Sequence, residues 1–72
     1  MKKIVIDGNV RHGRPVIEGT RVSVEEVLGM LESGMTYDEI QKEHGLKKED
    51  ILAVIRYMAS LVKGEEVSKF VR

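Results

Sequence analysis

Arginine and lysine side chains are the residues of this chain whose types and spacing could do chemistry, and that chemistry is phosphate binding. Arg11, Arg14 and Arg21 fall in a stretch rich in glycine and branched residues, where loops or strand ends would present them to solvent. Guanidinium groups placed in this way can contact the DNA backbone or enter a groove. The candidate DNA contacts are Arg11, Arg14, Arg21, Lys47, Lys48 and Arg56.

Local ion pairs are the alternative role for the arginines. Arg21 follows the turn Gly19-Thr20 and could pair with Glu18 or Glu25, which favours a structural role for it. Arg11 and Arg14 are therefore the better DNA candidates of the three.

The glycine-rich segment and the two histidines give little support for catalytic chemistry. Gly8 to Gly13 has the glycine spacing of a phosphate loop, but Arg14-Pro15 stands where lysine followed by serine or threonine is required. His12 and His44 are isolated, without the paired spacing of metal ligands, and neither has a plausible nucleophile beside it. We expect no enzymatic activity, no metal site, no cofactor and no small-molecule substrate.

The length and composition describe a single small domain. A chain of 72 residues buries only about 60% of its unfolded surface, so its core is small. The chain has no cysteine, so neither a disulfide nor a thiolate metal site can stabilise this small core. Dimerisation is the remaining common way to stabilise it. No apolar run approaches the ~20 residues that cross a bilayer. We expect a cytoplasmic homodimer that does not interact with a membrane.

Charge is unevenly distributed although the net charge is zero. Residues 1–22 carry five basic and two acidic side chains, a balance of +3, and residues 23–72 carry seven basic and ten acidic ones, a balance of −3. Phosphate neutralisation supplies most non-specific DNA affinity, so a neutral monomer is poorly suited to it. If nucleic acid is the partner, the basic N-terminal parts of two copies would carry much of the contact.

Local patterns predict a mainly α fold, with short N-terminal β segments followed by a three-helix, homeodomain-like helix-turn-helix. Within the single domain 1–72, we expect a β-rich arm over 1–22, the three helices over 23–64 and a tail over 65–72. Ser23 with Glu26 and Thr36 with Glu39 are capping boxes that begin the first two helices. Gly34, Gly45 and Gly64 are the expected helix stops.

The third helix, from about Lys48 to Lys63, is expected to be the second helix of the helix-turn-helix. Glu49 and Asp50 at its start repel phosphate, so it is a poor DNA reader and better suited to core or dimer contacts. Its predicted apolar face is wide enough to meet a second subunit or the N-terminal β segment. That face comprises Ile51, Val54, Ile55, Tyr57, Met58, Leu61 and Val62, and the opposite stripe Glu49, Ala53, Arg56, Ser60 and Lys63.

Three segments resemble the domain-of-unknown-function family 433: Gly13 to Val24 with its Gly-Thr-Arg core, Leu31 to Ile40, and Glu49-Asp50-Ile51. The resemblance extends from about Asp7 to Met58. Members look like small homeodomain-like helix-turn-helix proteins, many assigned as VapB-type antitoxins paired with a PIN-like nuclease toxin. The resemblance implies that this chain dimerises, binds its own operator and occludes a toxin's active site with its C-terminal part.

Two functional hypotheses remain open at this point. The first is an antitoxin-like DNA-binding regulator that uses the basic residues named above. The second is a protein-interaction module that dimerises and grips a partner, without DNA, through the third helix and the tail residues Val67, Phe70 and Val71.

Overall fold

A computed structural model describes residues 3–64 of the chain. Two short strands at the N-terminus are followed by three helices, which confirms the expected mainly α fold class. A one-turn segment, Arg11–Gly13, connects the strands. The strands are β1 (Ile4–Ile6) and β2 (Pro15–Ile17), and the helices are α1 (Val24–Glu32), α2 (Tyr37–His44) and α3 (Lys48–Val62).

The strands form an antiparallel pair in which Ile4 lies opposite Ile17 and Ile6 opposite Pro15. The Ile17 N–H points away from β1 and donates to the Val22 carbonyl at 3.0 Å. Residues two apart in a strand direct their N–H groups to the same side, so position 15, like Ile17, faces away from β1. The N–H that Pro15 lacks is therefore not needed for pairing with β1. Proline is therefore tolerated in β2.

All three helices begin with the same local contact, in which an acid in the first turn accepts the backbone N–H of the capping residue. Thr36 donates to Glu39 at 2.8 Å and Lys47 to Asp50 at 2.8 Å, and Ser23 donates more weakly to Glu26 at 3.4 Å. The Ser23 and Thr36 hydroxyls accept the return bonds, so both predicted capping boxes are confirmed. Lysine has no acceptor, so α3 carries only the acidic half of the device.

The turn between α2 and α3 depends on a left-handed residue. Gly45 has φ 66° and its N–H donates to the Gln41 carbonyl at 3.0 Å, which ends α2. Gly34 and Gly64 also have positive φ, in agreement with the predicted stops. Leu46 then turns inward and is 6% exposed. The chain thus enters α3 within three residues of leaving α2.

The core lies between the strand pair and the helices. Ile17, Val27, Ile40, Ile51 and Val54 are fully buried, and each comes from β2 or one of the three helices. Helix α3 packs against both strands and both other helices. The N-terminal β segment therefore covers part of the wide apolar face of α3, one of the two solutions the sequence allowed.

The buried face of α3 differs from the predicted one. Ala53, expected on the outward stripe, is buried at 4% exposure, because α3 is enclosed by neighbours on more than one side. Ile55 and Val62, which were expected on the wide apolar face, are 38% and 85% exposed. The structure thus divides the predicted apolar stripe into a buried part and an outward part.

The tail residues Val67, Phe70 and Val71 lie outside the described residues. Within 3–64, none of the helices has the length and apolar character needed to cross a membrane.

Truncating a core methyl group should destabilise the domain more than the same change at a partly exposed site. We expect Ile17→Val to lower the free energy of unfolding by about 1 kcal/mol, because Ile17 is fully buried. Ile6→Val, on the partly exposed end of β1, is the matched control and should cost less. Urea denaturation measures both; equal losses would contradict the burial described here.

The carboxyl of Glu39 should titrate below its ordinary value. The N–H and then the hydroxyl of Thr36 stabilise the charged form and hold the pKa of Glu39 below 4.5, against a smaller opposing effect of desolvation. The contribution to stability is present above 4.5 and is lost as the pH falls through the lower folded-state pKa. Carboxyl NMR titration of folded and urea-unfolded protein measures the difference. Thr36→Val should remove part of it, and identical titrations in both states would contradict the contact.

Candidate nucleic-acid interface

The basic arm between the strands is held in an unusual left-handed turn. Arg11 and His12 have φ of 52° and 55°, and Gly13 follows at 80°. Two backbone bonds close the turn, from the Gly13 N–H to the Val10 carbonyl and from the Arg14 N–H to the Arg11 carbonyl, each at 3.1 Å. Left-handed conformation costs non-glycine residues about 1–2 kcal/mol each, so the surrounding contacts must hold this turn.

Ion pairs between the arm and α1 help to stabilise this left-handed turn. The Arg11 Nη2 lies 2.6 Å from Glu26 Oε1, and the Arg14 Nη1 lies 2.6 Å from Glu25 Oε2. The structure therefore brings two predicted DNA contacts together at the start of one helix. Glu25 pairs with Arg14 and not with Arg21, the partner considered from the sequence.

Glu26 has two roles at this place. The same Oε1 atom accepts Arg11 and the backbone N–H and hydroxyl of Ser23. The arm is thus tied directly to the group that begins α1. From the sequence, Glu26 was expected to cap α1 and Glu25 to be a possible partner of Arg21; both are solvent-exposed and both also anchor the arm.

These ion pairs are open to solvent. The side chains of Arg11 and Glu26 are 42% and 43% exposed, and those of Arg14 and Glu25 are 60% and 75% exposed. Pairs of this kind contribute about 0.2–1 kcal/mol. A phosphate group can therefore replace the carboxylate partner of either arginine at small cost.

Arg21 occupies a different place from the other two arginines. It is exposed in the turn after β2 and borders a shallow, open depression of about 400 Å³. Val5, Val10 and Val16 line the depression together with Asp7. This lining includes one acid and no second basic side chain beside Arg21.

The start of α3 presents lysines and acids together. Lys47, Lys48 and Glu49 are all exposed. Asp50 was expected to repel phosphate, but it is buried at 4% exposure and its Oδ2 accepts the Lys47 N–H. Its Oδ1 has no hydrogen-bond partner among the described residues. The acid that opposes an approaching phosphate is therefore Glu49.

Arg56 lies apart from the two lysines. It is exposed and eight residues beyond Lys48, which corresponds to about 12 Å along the helix axis. It also has an interaction partner of its own. The predicted DNA contacts thus form one cluster beside α1, one at the start of α3, and two separate positions, Arg21 and Arg56.

Sequence reasoning missed an apolar row on the outward side of α3. Leu52, Ile55, Ala59 and Val62 follow one another at intervals of three, four and three residues. Ile55, Ala59 and Val62 are exposed and Leu52 is half-buried. The spacing was a readable signal, because it is the repeat of a helix-pairing seam. It was hidden because the apolar residues on the buried side made the whole helix look like one broad stripe.

Within residues 3–64, no group of three or more histidine or acidic side chains is arranged to hold a metal ion.

The Arg14–Glu25 pair should be weak and sensitive to salt. A double-mutant cycle with Arg14→Ala and Glu25→Ala should give a coupling free energy below about 1 kcal/mol, falling further at high salt because both groups are exposed. Urea denaturation of the four proteins at two salt concentrations measures it. A coupling of about 2 kcal/mol or more would mean that the arm is fixed too firmly to exchange partners.

Comparison with known proteins gives one match. No curated protein and no solved structure matches the chain. The model of a family described as protein of unknown function, DUF433, matches residues 4–58. The match covers both strands, α1, α2 and most of α3. The chain therefore belongs to the DUF433 family.

Proposed function

We propose that this protein is a small, homodimeric DNA-binding regulator of the antitoxin type. It binds its own operator, and it neutralises a PIN-like nuclease toxin encoded beside it. The observation that carries the DNA-binding part is the placement of Arg11 and Arg14, held side by side on the exposed start of α1 by weak, solvated ion pairs. The toxin part rests on the family resemblance.

Exchange of partners is the proposed binding step. Both guanidinium groups are already positioned, so contact with DNA replaces a carboxylate by a phosphate and needs no rearrangement of the backbone. Lys47 and Lys48, exposed at the start of α3 after the tight turn at Gly45, add further phosphate contacts. The succession of α2, short turn and α3 supports a helix-turn-helix in which these lysines contact the backbone.

A dimer is needed to make this binding strong. One copy offers two arginines in the arm, and acids on α1 and α3 lie close to its basic groups. Two copies double the phosphate contacts, and DNA affinity rises steeply with their number. A twofold arrangement also suits an operator with two half-sites.

A second candidate function is a protein-interaction module that does not bind DNA. The outward apolar row of α3 favours it, because Ile55 and Val62 are exposed on a helix whose start carries Glu49. The two functions differ in the role of the arm, which contacts phosphate in the first and only stabilises α1 in the second.

Substitutions on the two sides of one ion pair separate these functions. Binding to the DNA upstream of the protein's own coding sequence is measured by fluorescence anisotropy at two salt concentrations with excess competitor DNA. We expect Arg14→Ala to weaken binding and to reduce the slope of log K against log salt by about 1 per copy, because one phosphate contact is lost. Glu25→Gln should strengthen binding, because it removes the competing carboxylate.

Both variants break the same ion pair, so each is the control for the other. If the arm acts only by stabilising α1, both should have the same effect on binding, as both lose the Arg14–Glu25 contact. Opposite effects support phosphate contact by Arg14. No binding of the unaltered protein at low salt would reject the DNA-binding function and leave the interaction module.

A further inference from the structure

The outward row of α3 has the spacing of a helix-pairing seam. Leu52, Ile55, Ala59 and Val62 repeat at three, four and three residues, which places them along one line on the helix surface. The buried residues Ala53, Val54 and Tyr57 lie on the opposite side, against the domain's own core. The helix therefore has two apolar sides, of which the fold covers one.

This outward side is unsuited to the floor of a DNA groove. Base edges are read by polar and basic side chains, whereas the middle of this row is aliphatic and Val62 is 85% exposed. Short aliphatic side chains at alternating three- and four-residue intervals fit between those of another helix with the same spacing. A helix of matching length and pattern is available in a second copy of this chain.

We propose that the row formed by Leu52, Ile55, Ala59 and Val62 is the homodimer interface, and that α3 of one copy packs antiparallel against α3 of the other. Leu52 then lies opposite Val62 of the partner subunit, and Ile55 opposite Ala59 of the partner subunit. Each layer pairs a larger with a smaller side chain. The twofold axis crosses the helix near its middle, and the contact is closed to further copies.

Charge decides the antiparallel direction. Glu49 and Lys63 flank the row at opposite ends of α3, on the same side of it, and both are exposed. Antiparallel packing brings each Glu49 close to Lys63 of the partner subunit and forms two opposite-charge pairs. Lys48 lies four residues before Leu52, on the line of the row. Parallel packing brings it against Lys48 of the partner subunit, which is repulsive. Antiparallel packing also places Arg56 near Arg56 of the partner subunit at the axis, one like-charge contact against the two opposite-charge pairs, and each Arg56 has an interaction partner of its own.

This interface specifies how the homodimer of the proposed function forms, and the inference rests on that proposed function. With the outward side of α3 occupied by the partner, DNA contact falls to the Arg11–Arg14 arm and to the lysines at the start of the helix. The arm lies beside α1 and is not part of the row, so one protein can use both surfaces.

Complementary charge reversals test the interface and its direction together. Glu49→Lys alone and Lys63→Glu alone should each weaken the homodimer, because each creates two like-charge pairs. When the two variants are mixed, both pairs have opposite charge again, and a 1:1 heterodimer should form with about the stability of the unaltered dimer. Sedimentation equilibrium and native mass spectrometry measure the species, and circular dichroism checks that each variant is folded.

Ile55→Glu is the second variant, and Glu43→Lys on α2 is the control away from the row. Ile55→Glu should raise the dimer dissociation constant about a hundredfold, because two buried isoleucines are lost per dimer. Glu43→Lys should leave it unchanged. A dimer that tolerates Ile55→Glu, or charge variants that do not recover on mixing, overturns the interface while the proposed homodimer stands. A monomeric unaltered protein at high concentration overturns both, and DNA binding by that monomer would still support the role of the arm.

Discussion

A first-turn carboxylate that reaches back to the capping residue's N–H is the contact on which the rest of this structure depends. Glu26, Glu39 and Asp50 each make it, one at the start of each helix. Helices of nine and eight residues are too short to be stable alone, so their beginnings must be set by such local bonds before packing holds them. The burial of Val27, Ile40 and Ile51 follows from where these helices begin.

The same device gives the helix starts a negative charge, and this affects any interaction with DNA. At α1 the charge is offset by the arm, since Glu26 holds Arg11 and Glu25 holds Arg14. At α3 the capping acid is buried and Glu49 beside it is exposed. Exposed Lys47 and Lys48 lie beside Glu49, so both places combine basic and acidic side chains. The arm has the leading part in the proposed function because its two arginines are already positioned by ion pairs.

The sequence was sufficient for features that depend on neighbouring residues and insufficient for those that join distant ones. The capping boxes at Ser23 and Thr36 were predictable because cap and acid are three residues apart. The ion pairs of Arg11 and Arg14 span 15 and 11 residues, so nothing local in the sequence indicates them. The buried side of α3 was misplaced at Ala53, because a helix that is apolar on two sides has no single apolar stripe.

The turn after β2 has a consequence for solubility during synthesis and storage. A strand with free backbone groups along its edge can recruit strands from other molecules and begin aggregation. In β2 that edge offers little to recruit: Pro15 has no N–H, the Ile17 N–H is bonded to Val22, and Val16 is bridged to Ser23. The turn that leads the chain into α1 thereby also protects the edge of β2 from amyloid-like growth.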